Sequence, residues 1–247
     1  MHMGSEKMWG ELAPYYDYIY EQKNYEQEAA QLHKAIQENK KTSDNKLLDV
    51  ACGTANHWPY LQEHYTLTGL DLNKEMLKIA RTKFPNATFH EEDMTSFELG
   101  AEFDVITCLF SSIGYVKTYE NLQKTIQCFS NHLKPGGVMI IEPFFTNETY
   151  NAGNPHATFV NKPDVKIARM SVPEQEKNVA IMNFHFLLAT KDGVKHFTDK
   201  HELGLFEVDE FLKILHETGL KTEFRENAIQ GKGQYIATKQ STENLKD

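Results

Sequence analysis

The chain has 247 residues, 40% hydrophobic and 25% charged, which allows one large globular domain or a domain carrying a sizeable insertion. A net charge of −9 argues against general binding to nucleic-acid backbones, while leaving room for a local basic pocket for one small anion. No apolar run reaches the length of a membrane span, no signal-peptide pattern opens the chain, and three cysteines in apolar contexts without a CxxC pair read as free thiols of a cytoplasmic protein and not as a zinc site.

Residues 8–39 read as helical, with Tyr16, Tyr20, Ala30 and Ile36 at roughly helical spacing among charges. After the polar break NKKTSDNK (39–46), strands and helices alternate. LLDVA (47–51) is a short apolar strand and WPYLQEH a helix start. LTGLDL (67–72) is a second strand, followed by the amphipathic helix KEMLKIARTKF, which Pro85 ends. ATFHEED (87–93) is a third strand. FDVITCLFS (103–111) is a fourth, and its lack of alternation predicts burial on both faces. YENLQKTIQCFSNHL is an amphipathic helix, KPGG (134–137) a turn and VMIIEPF (138–144) a fifth strand. Strands separated by helices predict a parallel sheet covered on both sides, with the ligand at the carboxyl ends of the strands.

The pattern changes after Phe145. Residues 146–166 read as a long loop, and 166–206 as antiparallel strands with a DG hairpin turn in LATKDGVKHF. A helix at 208–220 ends at Gly219, and KTEFREN and GQYIATK resemble closing strands. The expected organisation is an N-terminal helical cap (1–44), a nucleoside-binding core (45–145), an antiparallel insertion (146–206), and a C-terminal helix and strands that complete the core sheet (207–239).

The stretch LLDVACGTANH (47–57) resembles a nucleotide loop but fails both phosphate patterns, GxGxxG and GxxxxGK[ST]. The acids that follow decide more. Asp71 ends the second strand, where a carboxylate accepts both hydroxyls of a ribose. Asp93 ends the third, placed to accept from an adenine amino group while Met94 packs on the ring. Asp49 ends the first, to orient the loop or meet a ligand ammonium. Ribose, adenine and a cation without phosphate is the inventory of S-adenosylmethionine.

The motifs LLDVACGTA, LTGLDLNKEMLKIAR, ATFHEEDM, FDVITCLFSSIGYV and LKPGGVMIIEP together resemble the class I S-adenosylmethionine-dependent methyltransferases. The resemblance implies an α/β, Rossmann-like fold with a mostly parallel seven-stranded sheet flanked by helices, here with an added antiparallel β-sheet. It implies S-adenosyl-L-methionine as cofactor, with S-adenosyl-L-homocysteine as product. Asp49, Ala51, Gly53, Asp71, Leu72, Asp93 and Met94 would line the cofactor site, with Phe110 near the methionine moiety. Ala55 stands where this family usually has glycine. It is expected at negative φ, since positive φ would cost an alanine about 1 kcal/mol.

The stretches FSSIGY, EPFFTNETY, GVKHFTDKHELGLF and GKGQY are similar to the N-methyltransferases of dTDP-linked amino sugars. That similarity implies a small-molecule acceptor held between core and insertion, with an N-terminal aromatic segment, including Tyr16 and Tyr20, folded over the cofactor. Tyr115 falls where the family has a Tyr or His beside the reacting amine. Glu142 and Phe145 fall on the segment facing the sugar, and Lys232 where the family has an Arg on the nucleotide phosphates. Arg169, Lys195 and His196 are further substrate candidates. An amine must lose its proton before attack, and Tyr115, Glu142, His185, His196 or His201 is placed in sequence to accept or relay it. KHFTDKH is a weak metal pattern, and no metal is expected. The partners expected are a small-molecule acceptor and a second copy in a homodimer, with no nucleic acid and no membrane. A different small acceptor (amine, hydroxyl or carboxylate) and a non-catalytic cofactor-binding protein remain the alternatives.

Overall fold

The computed structural model describes residues 10–229 and 232–240. Strands β1 (Lys46–Val50), β2 (Thr66–Asp71), β3 (Thr88–Glu91), β4 (Phe103–Cys108) and β5 (Leu133–Ile141) are all paired in parallel. Two later strands, β11 (Leu220–Ile229) and β12 (Lys232–Lys239), extend this sheet, with β12 antiparallel to both β5 and β11. The order is β11-β12-β5-β4-β1-β2-β3. It reverses between β1 and β4, and that switch point opens a crevice at the strands' carboxyl ends.

Successive strand residues supply opposite faces, so each strand feeds two cores. Leu48, Val50, Ile106 and Ile141 pack with α4 (Tyr119–His132) and α5 (Val208–Glu217). Leu47, Val105, Val138 and Ile140 pack with α2 (Tyr25–Asn39) and Trp58. Every residue of β4 is buried, as its unbroken apolar run predicts. Between β2 and β3 lies α3 (Lys74–Lys83), capped by the Asn73 side chain, which accepts from the Glu75 and Met76 N–H groups.

The second sheet holds β6 (His156–Asn161), β7 (Lys166–Ser171), β9 (Val179–Thr190) and β10 (Gly193–Gly204) in the order β10-β9-β7-β6. A short β8 (Pro173–Glu176) pairs with β9. Its inner face (Val160, Ile167, Phe186, Leu188, Phe197) packs on Leu12, Ala13, Tyr16 and Ile19 of the N-terminal segment and on Met76 of α3. The N-terminal segment is thus packed between the second sheet and α3. At ~1.5–3 kcal/mol for each large apolar side chain fully buried, this third core holds the segment firmly.

Four local expectations change. Residues 8–39 are not one helix: a 3₁₀ turn at Ala13–Tyr15 and the four-residue α1 (Tyr16–Ile19) precede a break, and α2 restarts under the Asn24 cap, whose side chain accepts the Gln27 N–H. WPYLQEH forms only a 3₁₀ turn at Trp58–Tyr60, with the Trp58 indole drawn inward onto Asp49. KPGG does not interrupt β5; Gly136 passes through φ 80° and the register against β4 shifts there. The supposed loop at 146–166 contains β6, an edge strand that buries only Val160 and so shows no alternation.

Candidate active site

The loop after β1 is built from alternating left-handed residues: Ala51 (φ 56°), Gly53 (φ 55°) and Ala55 (φ 61°). The expectation of negative φ at Ala55 is therefore wrong. An alanine there costs about 1–2 kcal/mol, and its methyl group, fully buried beside Trp58 and Leu61, returns part of that. The Ala55 N–H donates to the Cys52 carbonyl (2.9 Å) and the Cys52 N–H to the Leu70 carbonyl (3.1 Å).

The loop's donors are directed at a carboxylate. The Gly53 N–H donates to Asp71 Oδ2 (2.8 Å) and the Asn73 N–H to Asp71 Oδ1 (2.8 Å). This arrangement excludes a phosphate cradle, because the N–H that would hold a phosphate is spent on an anion that would repel one. Burial lifts the Asp71 carboxyl to about 6, against the opposing pull of backbone N–H groups, those of Asn73 and Gly53 foremost. Asp49 accepts from Trp58 Nε1 (2.8 Å) and Thr107 Oγ1 (2.9 Å), so it anchors the loop. Burial raises its carboxyl too, with His57 and those two donors working against the rise.

Next to Asp71 in the chain, the Leu72 side chain is 61% exposed, and the half-buried Met94, after the third strand, packs against the core on the α4 side of the sheet. Asp93 Oδ1 accepts from the N–H and hydroxyl of Thr95 (2.8 Å each), which fixes the carboxylate at the mouth of the crevice. Tyr16, Tyr20 and Phe110 form a run of ring contacts, tilted between Tyr16 and Tyr20 (centroids 4.7 Å apart) and edge-to-face between Tyr20 and Phe110 (5.1 Å). Phe110 itself is left-handed (φ 53°), and its N–H donates to Glu142 Oε2 (2.7 Å). Lys23 lies 4.4 Å over the Phe110 ring and pairs with Glu28. Burial would lift the Glu28 carboxyl, but His57 and Lys23 donate to it and hold it below the usual range.

The N-terminal segment is tied to the loop by residues the sequence reading passed over. Asp17 accepts from Thr54 Oγ1 (2.6 Å) and Asn56 Nδ2 (2.9 Å), and pairs with Lys83 (2.6 Å). Lys83 in turn reaches the Thr54 carbonyl (3.0 Å) and Asn56 Oδ1 (2.7 Å). No sequence motif links groups so far apart; polar residues at the tip of the loop were the only hint.

Tyr115 stands in the 3₁₀ turn Ser112–Val116, its hydroxyl 2.6 Å from His201 Nδ1. His201 Nε2 is 3.0 Å from Asp199 Oδ2. Burial first pushes the Tyr16 and Tyr115 phenols well above their usual value; neighbouring Tyr20 and Asp71 add to both rises, and Asp199 adds to that of Tyr115. Arg169 donates to Tyr20 Oη (2.9 Å) and is sandwiched by the Tyr20 and Phe184 rings at 5.2 and 5.1 Å, bridging the second sheet to the N-terminal segment. Phe145 packs with Phe144 and Tyr150 at the crevice rim.

His185 and His196 are a correction. They stack on each other, centroids 5.5 Å apart, on the outer face of the second sheet. Their strand neighbours Phe186 and Phe197 take the inner face, so alternation directs both histidines away from Tyr115. Glu142 is buried against the Phe110 backbone and holds that strained residue in place. The side chain of Lys232 lies outside the described residues. Asp199 was noticed in the sequence only as part of a weak metal pattern; its spacing of two from His201 on a strand was the usable signal.

Comparison with known proteins gives the same picture. A protein-family profile described as a methyltransferase domain matches residues 47–137. The chain is 36% identical to the dTDP-3-amino-3,4,6-trideoxy-alpha-D-glucopyranose N,N-dimethyltransferase of Streptomyces venezuelae, over 91% of this chain and 96% of that one. It resembles the crystal structure of Streptomyces venezuelae DesVI with a TM-score of 0.86 at 35% identity, covering 92% of this chain and 98% of that one. It also resembles the S-adenosylmethionine-bound CalS10, an amino pentose methyltransferase from Micromonospora echinaspora, with a TM-score of 0.80 at 29% identity, covering 88% and 92% of the two chains.

Proposed function

The chain belongs to the class I S-adenosylmethionine-dependent methyltransferases, in the family of the dTDP-amino-sugar N,N-dimethyltransferases, and on that premise we propose that it adds two methyl groups to the amine of a nucleotide-linked amino sugar. The observation that carries this reading is the meeting of three features in one crevice: paired acids at strand ends, an aromatic lid, and a polar Tyr115 on the second sheet's side.

The residues present fit the cofactor. Each Asp71 oxygen holds one backbone N–H and retains a lone pair for a ribose hydroxyl. Leu72 and Met94 offer apolar plates for an adenine, and Asp93 an acceptor for its amino group. Tyr16, Tyr20 and Phe110 form an aromatic wall suited to a sulfonium. The bound cofactor supplies a methyl group already activated for nucleophilic attack. What remains for the protein is to hold a neutral amine in line and keep water out, which can supply on the order of 7 kcal/mol or more in good cases.

For the acceptor, Tyr115 is the group proposed to touch the amine, with Phe145 against the sugar ring. Arg169 keeps N–H donors beyond the one spent on Tyr20, and with Lys232 is proposed to meet the carrier's phosphates. The acidic chain then needs only this local positive pocket. The outer face of the second sheet exposes Phe159 (73%) and Val194 (69%), apolar surface suited to a second copy. Among the described residues no helix is long and apolar enough to cross a membrane. Three free cysteines accord with the reducing cytoplasm as the site of action.

The test is Tyr115→Phe. Turnover on a dTDP-amino sugar should fall about tenfold or more while cofactor affinity, read by calorimetry, stays within twofold. Loss of cofactor binding instead would assign Tyr115 to the cofactor and refute its place beside the amine.

A further inference from the structure

The two histidines of KHFTDKH part company in the fold. β10 turns His201 inward, toward Tyr115, and His196 outward. What meets His196 instead is His185 of β9. The β9–β10 ladder runs without a register shift from Gly193↔Thr190 to Gly204↔Val179, setting His185 opposite Thr198 and His196 opposite Leu187. The two histidines are therefore diagonal neighbours on one face, about 7–8 Å apart along the backbone diagonal.

Both side chains are exposed, with ring planes 11° apart and His185 Nδ1 lying 3.3 Å from His196 Nε2. That separation suits a shared ion as well as a hydrogen bond. Imidazole nitrogen binds divalent transition ions at ~2.0–2.1 Å, and two such bonds spanning 3.3 Å subtend about 107° at the ion, the edge of a tetrahedron. A pivot of about 36° at each ring aims both lone pairs at that point, and the broad χ2 well of histidine allows it.

The surroundings select the ion. The neighbouring outward positions hold Thr198, Leu187, Met170 and Ala168. None is a carboxylate, so the pair does not suit Mg²⁺ or Ca²⁺, which take oxygen ligands. Imidazole suits Zn²⁺, Ni²⁺ and Cu²⁺, in rising order of affinity from Ni²⁺ to Cu²⁺. Among the described residues no group of three or more His, Cys, Asp or Glu side chains is placed to hold a metal. The remaining coordination positions are then left to water, which makes the site exchangeable and unlike a closed structural zinc site.

We propose that His185 and His196 form a two-imidazole site for a divalent transition-metal ion on the outer face of the second sheet. The inner-face layer of Phe186 and Phe197 separates it from the crevice, so it acts independently of what the crevice binds. A bound ion links β9 to β10 beside their hairpin and stabilises the folded chain by linkage.

The experiment is calorimetric titration of the metal-free full chain with NiCl₂. His185→Gln and His196→Gln should each weaken the tightest site at least tenfold, since either leaves one imidazole and forfeits the second, intramolecular bond. His33→Gln, at the other close histidine pair (His33 and His64, ring centroids 4.2 Å apart), should leave it unchanged. NiCl₂ should raise the Tm of the native chain and not that of the His185 or His196 variant. In a crystal soaked with ZnCl₂, anomalous scattering should place an ion ~2.0–2.1 Å from both His185 Nδ1 and His196 Nε2. No binding by the native chain, an affinity that survives either substitution, or an ion seated away from the pair would overturn the proposal and leave a simple hydrogen-bonded contact.

Discussion

Asp71 offers the sharpest quantitative test of the cofactor assignment. Its carboxyl is raised by burial to about 6 in the unliganded protein, and a ribose diol binds the ionised form best. Cofactor affinity should therefore be flat above about pH 7 and weaken as pH falls through about 6. With a midpoint at about 6, roughly one molecule in eleven is ionised at pH 5, so Kd there should be about tenfold above its value at pH 8. Asp71→Asn removes the charge and sets an NH₂ group against one of the backbone N–H donors of Gly53 or Asn73. Losing charge-assisted bonds worth ~1.5–3 kcal/mol each, partly kept by the amide oxygen, should cost about 2 kcal/mol, or about 30-fold in Kd at pH 8. The variant should also lose the step between pH 8 and pH 5. Calorimetric titration of both proteins with S-adenosylhomocysteine across that range reads both effects. A flat native profile, or an identical step in the variant, would refute the assignment of Asp71.

Three further outcomes are expected. Ala55→Gly should leave stability in urea within about 1 kcal/mol, because relief of left-handed strain is offset by a lost buried methyl group and a freer unfolded chain. Ala55→Val should destabilise by about 2 kcal/mol or more through overpacking and an unfavourable φ, so equal stability of the Val variant would contradict the loop geometry. Asp17→Ala should weaken cofactor binding about tenfold and speed protease cleavage within residues 10–24, since it frees Thr54, Asn56 and Lys83 together. Replacing His185 and His196 jointly by Ala should leave kcat within about twofold, whereas a large loss would return them to the reaction.

Most of residues 45–145 was legible because the central strands are nearly continuous apolar runs; WPYLQEH and KPGG misled, since burial of the Trp58 indole and strand pairing through Gly136 override the local helix and turn signals. The acids at strand ends could be read for the same reason: a strand fixes where its last residue points. β6 was hidden because it buries a single side chain and so offers no period. The left-handed Ala55 was hidden because alanine reveals neither φ nor the core its methyl group enters. His185 and His196 were chosen by residue type, although Phe184 and Phe186, flanking His185, already showed which face was inside. The same alternation, applied to Asp199 and His201, would have placed both behind Tyr115. The Asp17 latch joins residues 37 and 39 positions apart, and no local pattern encodes it.

The most direct measurement is mass spectrometry of a dTDP-linked 3-amino sugar incubated with the enzyme and excess S-adenosylmethionine. The expected result is a monomethylated intermediate that converts to a dimethylated end product, with two molecules of S-adenosylhomocysteine formed per sugar and no trimethylated species. Cofactor binding without any methylated amino sugar, across 3-amino and 4-amino substrates, would contradict it.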